Sequence, residues 1–294
     1  MVAFPAMKTA VYRALLAALA WLPLPVLRGL GSLLGTLPVG GRRARVRANL
    51  EQAFPELDDG DRRALAARNR RAMMITAMEC APLWHRSADW LASRWRSVEG
   101  REALEAAADG RGTLLLGGHL GQWEAGILYG TTHWPITYLY KPPGDPALDR
   151  ALTAYRSRFG GEFVATGSAA MRSALRRLRQ GGAVGLLFDQ LPRGGEFVEA
   201  PFFGRPAPTM TLAWRLARRT GCRVVIGHVL RVEGGWQPRF EELREFASID
   251  DPAEAATCLN EALERQVRRA PEQYLWRYRR FDPVSRPKRR APVA

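Results

Sequence analysis

Thr113-Leu-Leu-Leu-Gly-Gly-His-Leu-Gly-Gln-Trp-Glu124 is the stretch from which the fold is read outward. Its leucine run fits a buried strand, and Gly117-Gly118 permit a sharp turn at the strand's end. Gly121 to Tyr129 then reads as the start of a helix, which sets His119 and Glu124 about one helical turn apart. At that separation a carboxylate can hold an imidazole's tautomer and orientation, as a general base requires. The same residues also fit a histidine that caps a helix and a glutamate that favours its N-terminal end. Local spacing leaves both readings open.

Downstream, short apolar runs alternate with helical stretches. Strands are expected at Ile136–Tyr140, Glu162–Ala165, Ala183–Phe188 and Arg223–Leu230. Helices are expected at Ala147–Phe159, Ser168–Gln180, Thr209–Arg219 and Ala253–Arg269, several of them closed by Gly or Gly-Gly. Upstream, apolar positions recur at helical spacing from Asp61 to Trp84, and Glu99–Asp109 reads as an amphipathic helix ending at Gly110. The fold class is therefore α/β, with a mainly parallel or mixed central sheet and helices on both faces.

In such sheets ligands bind beyond the carboxyl ends of the strands. Three strand ends here carry polar residues: His119, Lys141 and Asp189. They would bring a base, a cation and a second carboxylate to one edge. Asp189 fits a turn-forming Asx residue equally well, and Lys141 fits a solvated strand end better. His85, His133 and His228 read as structural or surface residues. No second histidine stands near His119/Glu124 to make a zinc site, and no GxSxG motif occurs, so neither a metal nor a serine nucleophile is indicated.

The chain of 294 residues carries 44 basic and 29 acidic side chains, a net charge of +15 that comes almost wholly from arginine. Such a balance favours anionic partners such as phospholipid head groups, phosphorylated glycolipids, acidic carrier proteins or nucleic acid. Cys80, Cys222 and Cys258 are widely separated, which indicates no disulfide framework and fits a reducing compartment. The N-terminal apolar run Ala14–Leu27 falls short of the ~20 residues a spanning helix needs, and Pro23 and Pro25 interrupt it. It is read as a membrane-embedded or interfacial anchor whose flank, Arg42, Arg43, Arg45 and Arg47, faces the cytoplasm. A buried helix hairpin is the other reading. The expected organisation is an anchor with its basic flank over residues 1–47, one α/β domain over 48–284, and a loose basic tail over 285–294.

Gly118-His-Leu-Gly-Gln-Trp-Glu124 resembles the HxxxxD/E signature of glycerolipid acyltransferases, in the Glu form of the late lipid A (lauroyl/myristoyl) acyltransferases. Four further blocks are similar to that family's, in the same order. They are Tyr140-Lys-Pro-Pro-Gly-Asp-Pro-Ala-Leu-Asp149, Tyr155-Arg-Ser-Arg-Phe-Gly-Gly161, Gly185–Gln190 with Pro201–Thr209, and Ala270–Phe281. The short HxxxxE pattern alone is weak; the ordered blocks are specific. Two departures stand out: many lipid A acyltransferases carry Asp-His at Asp189-Gln190 and Asn-Pro at Asp145-Pro146.

The resemblance implies a glycerol-3-phosphate acyltransferase-like fold with an N-terminal hydrophobic membrane anchor. It implies an O-acyltransferase that moves a fatty acyl group from an acyl carrier protein or CoA thioester to a lipid hydroxyl. The thioester is a co-substrate, and no bound cofactor or metal is implied. His119 would be the general base and Glu124 the group that orients it. Arg158, or equally Arg156, would contact phosphate or support the site, and Asp189 would help hold the surroundings of His119. The expected setting is the cytoplasmic face of a bacterial inner membrane, with an anionic lipid surface as partner and no nucleic acid. Alternatives are the same chemistry on another acceptor (a glycolipid, lysophospholipid or aryl polyene-type lipid), a thioesterase-like hydrolase, or a non-catalytic basic protein that binds membrane or nucleic acid.

Overall fold

The computed structural model describes residues 14–37, 42–105, 110–191 and 196–283. The expected basic tail lies outside these, as do residues 1–13 and 38–41 of the expected N-terminal anchor and flank and residues 106–109 of the expected Glu99–Asp109 helix. Helices α1 (Leu24–Leu34), α2 (Arg43–Ala53), α3 (Asp59–His85), α4 (Ala88–Ala92) and α5 (Glu102–Glu105) precede the sheet. Then come β1 (Thr113–Gly117), α6 (Trp123–His133), β2 (Ile136–Tyr140), α7 (Pro146–Ser157), β3 (Glu162–Ala165), α8 (Ser168–Arg179) and β4 (Ala183–Leu187). The chain continues through β5 (Phe197–Phe202), β6 (Arg205–Met210), α9 (Leu212–Thr220), β7 (Arg223–Val232), β8 (Gly235–Glu242) and α10 (Pro252–Arg269).

The main sheet has the order β3-β2-β4-β1-β7-β8. Its pairs are parallel except β7–β8, which is antiparallel. One face buries Leu114, Leu116, Val184, Leu186, Val224 and Ile226 against α8, α9 and α10. On the other, Leu115, Val225 and Phe240 pack with Tyr129 of α6. The run Leu114–Leu116 is apolar throughout because both faces of the strand are covered.

The connections decide where a ligand can sit. After β1 the chain crosses by α6 on one face to reach β2, while after β4 it returns by α9 on the opposite face to β7. The neighbouring strands β1 and β4 therefore send their connections to opposite sides, which opens a crevice at their carboxyl ends. His119 follows one of these ends and Asp189 the other.

β5 and β6 form a separate antiparallel ribbon, with Phe202 opposite Arg205 and a two-residue turn between them. Phe203 (φ 52°) and Gly204 (φ 67°) both take positive φ, as the tight hairpin turn demands. Phe203 remains buried against Phe54 and Trp276.

No described helix is long and apolar enough to cross a membrane. Instead, α1 lays Leu24, Leu27 and Gly31 inward, and Gly31 approaches so closely that a Cβ would stand 2.7 Å from Ile75 Cα of α3. Its other side carries Val26, Leu30, Leu33 and Leu34 exposed, continued by Trp21 and Leu37. Arg28 fixes α1 to the body: its guanidinium donates to Glu79 (2.7 Å) and to the carbonyls of Val232 and Gly235. Glu79 is fully buried and also accepts from Arg231 and Gln122.

Candidate active site

β1 ends at Gly117, and α6 does not begin until Trp123, so His119 lies in an irregular crossing rather than on a helix. That crossing is clamped on two sides. Gln122 N–H donates to Val229 O of β7 (2.7 Å), Gly121 N–H to Gln273 O, and Leu275 N–H to His119 O. Gly121 has φ +67°, and a Cβ there would stand 2.1 Å from Val229 O, so a side chain is excluded by conformation and by space. At Gly118 a Cβ would meet Leu263 of α10 at 2.6 Å. The glycines let neighbouring elements close in on the loop.

Asp189 grips His119 twice. Its Oδ2 accepts from the His119 backbone N–H (2.8 Å), and its Oδ1 pairs with Nδ1 (2.7 Å). Burial favours the neutral carboxyl, but the charge and hydrogen bonds of His119 outweigh it and hold the pKa of Asp189 below the usual carboxylate value. An ionised Asp189 can only accept, so Nδ1 carries a proton, and the tautomer that can act as a base presents its lone pair at Nε2. Gln190 meets that atom: its side-chain nitrogen lies 3.0 Å from His119 Nε2. Trp123 sets its ring edge-on to the imidazole at 5.3 Å.

Behind Asp189 lie the buried Tyr274 and Arg280. Burial and the adjoining Asp189 push the Tyr274 phenol well up, so it stays protonated and can donate to the carboxylate. Arg280 is fixed by Pro208 O, Thr209 and Asn260. These two residues went unread in the sequence. The C-terminal block Ala270–Phe281 contains both, but nothing local shows that it folds against the end of β4.

Glu124 is occupied elsewhere. Arg156 of α7 binds both of its oxygens, with Nε 3.0 Å from Oε2, and Trp84 Nε1 donates to Oε2 at 3.1 Å. No described hydrogen bond joins it to His119, which corrects the expectation that Glu124 orients the imidazole. The physical reason is the irregular crossing: one helical turn cannot separate two residues when the first precedes the helix. Arg158 is turned toward the end of α3. Its guanidinium donates to Leu83 O (2.6 Å) and stacks on Phe159 at 4.0 Å, and it does not line the cleft that holds His119. Arg156 does line it.

That cleft has a volume of about 860 Å³ and includes Tyr140, Lys141, Arg156, Met171, Gln190 and Leu212 in its wall. A narrower apolar slot adjoins it between the sheet and α6, sharing Ile127, Tyr138, Leu186 and Leu187 with the cleft. Gly117, Gly126 and Gly227 line the slot together with Leu115, His228, Val229 and Phe240. The base thus sits in a roomy, partly cationic cleft that adjoins a largely apolar slot.

The family model described as bacterial lipid A biosynthesis acyltransferase matches residues 4–282. A lipid A biosynthesis lauroyltransferase of Escherichia coli (strain K12) is 32% identical over 269 residues, covering 88% of this chain and 86% of that protein. A lipid A biosynthesis palmitoleoyltransferase of the same organism is 29% identical over 276 residues, with 88% and 86% covered. A lipid A biosynthesis acyltransferase of Haemophilus influenzae is 28% identical over 293 residues, with 96% and 91% covered.

Proposed function

The chain belongs to the bacterial lipid A biosynthesis acyltransferase family, and we propose that it transfers a fatty acyl group from an acyl carrier protein or CoA thioester to a hydroxyl of a lipid A precursor. The observation that carries this reading is the placement of His119. Its Nδ1 is fixed by an ionised carboxylate, and its ring lines a cleft that adjoins an apolar slot. His119 Nε2 takes the proton of the acceptor hydroxyl, and the freed oxygen bonds to the thioester carbonyl carbon. The carbon–sulfur bond breaks, and the leaving thiolate recovers the proton from the imidazolium. Asp189 stabilises that imidazolium, a task carboxylates perform well in a buried site.

Glu124 acts through Arg156, whose guanidinium it anchors in the cleft wall beside the reacting groups. Lys141 and Arg156 give that wall the positive charge that suits a phosphorylated acceptor or donor. The acyl chain enters the slot under Gly117 and Gly126, where mostly apolar surface meets it.

The exposed side of α1, with Trp21 at its head, rests in the surface of the bilayer at the cytoplasmic face of the inner membrane. Apolar side chains on both sides of one helix make sense when α3 covers one side and lipid the other. Arg86 stacks over Trp21 at 4.5 Å, a cation beside an aromatic ring that suits the head-group level of a bilayer. The basic flank of α2 suits anionic head groups.

Mass spectrometry of lipid A from a strain lacking this protein tests the assignment. We expect a species short of one acyl chain, restored by the wild-type gene. Unchanged lipid A would point to another lipid acceptor.

A further inference from the structure

In this structure the lone pair that His119 must use to take a proton is already taken. Asp189 binds Nδ1, and the Gln190 side-chain amide stands 3.0 Å from Nε2, where it can only donate. Gln190 also lines the cleft, so it stands between the base and whatever enters. Its backbone is pinned on both sides. Asp189 is held by the two contacts to His119, and Leu191 N–H donates to the Tyr278 hydroxyl at 3.0 Å. Only the Gln190 side chain has to swing for the base to open.

We propose that Gln190 is a positioning residue that caps His119 until the lipid hydroxyl displaces it, and that the cap protects the acyl thioester from water. The proposal rests on the acyl-transfer reading above. Chemistry alone cannot tell the two nucleophiles apart. Water or a lipid alcohol would equally give a proton to Nε2, form the oxygen–carbon bond at the thioester carbonyl, break the carbon–sulfur bond and release the thiol. With water the product is free fatty acid. Discrimination has to come from access to Nε2.

The acceptor brings binding energy from the rest of its structure in the cleft, and part of it can displace the amide. Water brings none. Losing one hydrogen bond of ordinary net strength shifts an equilibrium by roughly tenfold, the size of the protection expected. An amide suits the task because it donates without titrating, so the cap neither competes as a base nor fades with pH.

The test uses the full-length protein in detergent with dodecanoyl-CoA and no acceptor, reading thiol release and free fatty acid. Gln190→Ala and Gln190→Met, which keeps length but cannot donate, should each raise hydrolysis about tenfold. With a lipid A precursor present, the ratio of hydrolysis to transfer should rise with them. Gln190→Glu should raise the apparent pKa of the base in the pH–rate profile, because a carboxylate on Nε2 favours the imidazolium. A merely structural glutamine would produce neither effect. If the wild type transfers acyl groups and the folded Ala and Met variants hydrolyse no faster than it does, the cap is wrong and the transferase reading stands. If the wild type transfers to no lipid hydroxyl, the reading beneath the proposal fails, and the proposal falls with it.

Discussion

Arg156 on α7 holds Glu124 on α6 through both carboxylate oxygens, and each side chain is largely buried. The imidazole of His119 meanwhile takes its carboxylate from Asp189, seventy positions along the chain. The two acids therefore do different work, and their variants should fail differently. Asp189→Asn removes the group that fixes the tautomer and steadies the imidazolium. We expect transfer to fall at least about a hundredfold, with little change in the binding of acyl donor. Glu124→Gln leaves a buried guanidinium without its charge partner and should cost about 3–5 kcal/mol of stability. Kinetics beside thermal melts separate the two. A Glu124→Gln protein with a wild-type melting temperature would contradict the role given to the Arg156 pair.

On the proposed reading, the slot under α6 receives the acyl chain and sets its length. Gly126 lines it, and a Cβ there already stands 3.4 Å from Val229 Cγ2. Gly126→Val should shift preference toward shorter thioesters, by about tenfold for the loss of room for one or two methylenes. Competition between acyl-CoAs of different length reads this directly, and an unchanged preference would move the acyl chain elsewhere.

The proposed docking to the bilayer uses the apolar outer side of α1. Leu30 and Leu33 are exposed, at 39% and 63%, so their replacement leaves the core untouched. The double variant Leu30→Glu, Leu33→Glu should lose at least about tenfold in partition onto vesicles of anionic phospholipid, since each leucine contributes roughly 1.5–3 kcal/mol on leaving water. Its melting temperature in detergent should change little. Unaltered co-sedimentation would shift the contact to another surface.

His228 gives the fold an acid limit. It is buried on β7, and burial, with the charges of Arg239 and Arg269, lowers its pKa to about 3. The unfolded chain binds this proton near the ordinary value of ~6.5. As pH falls below that value, the unfolded state therefore gains a proton that the folded state refuses. Stability should decline by up to about 1.4 kcal/mol per pH unit, down to the folded value. Denaturant titrations between pH 7 and pH 4 should show this slope, and His228→Gln should flatten it by one proton.

Much of this was legible in local pattern. β2 and β3 lie over the expected residues, and the polar residues after β1 and β4 do converge on one crevice. The ribbon β5–β6 was not read as strands because Pro201, Pro206 and Pro208 argue against a central strand, and these two pair only with each other. β8 was missed because Gly235-Trp-Gln-Pro-Arg-Phe-Glu-Glu242 alternates poorly at an edge. At the site, the sequence presented a glutamate close by and an aspartate far off. Only the crossing of the chain between β1 and β4 shows which of them reaches the histidine. Tyr274 and Arg280 depend wholly on such long-range packing, and no periodicity announces them.

The central claim is that His119 takes the proton of the acceptor hydroxyl. Its most direct test is the rate of acyl transfer by His119→Ala, measured with dodecanoyl-CoA and a lipid A precursor beside the binding of each. We predict a fall of about 10²–10⁴-fold with donor and acceptor still bound, since that is what the loss of a general base costs. A folded His119→Ala protein that transfers at near wild-type rate would contradict the account.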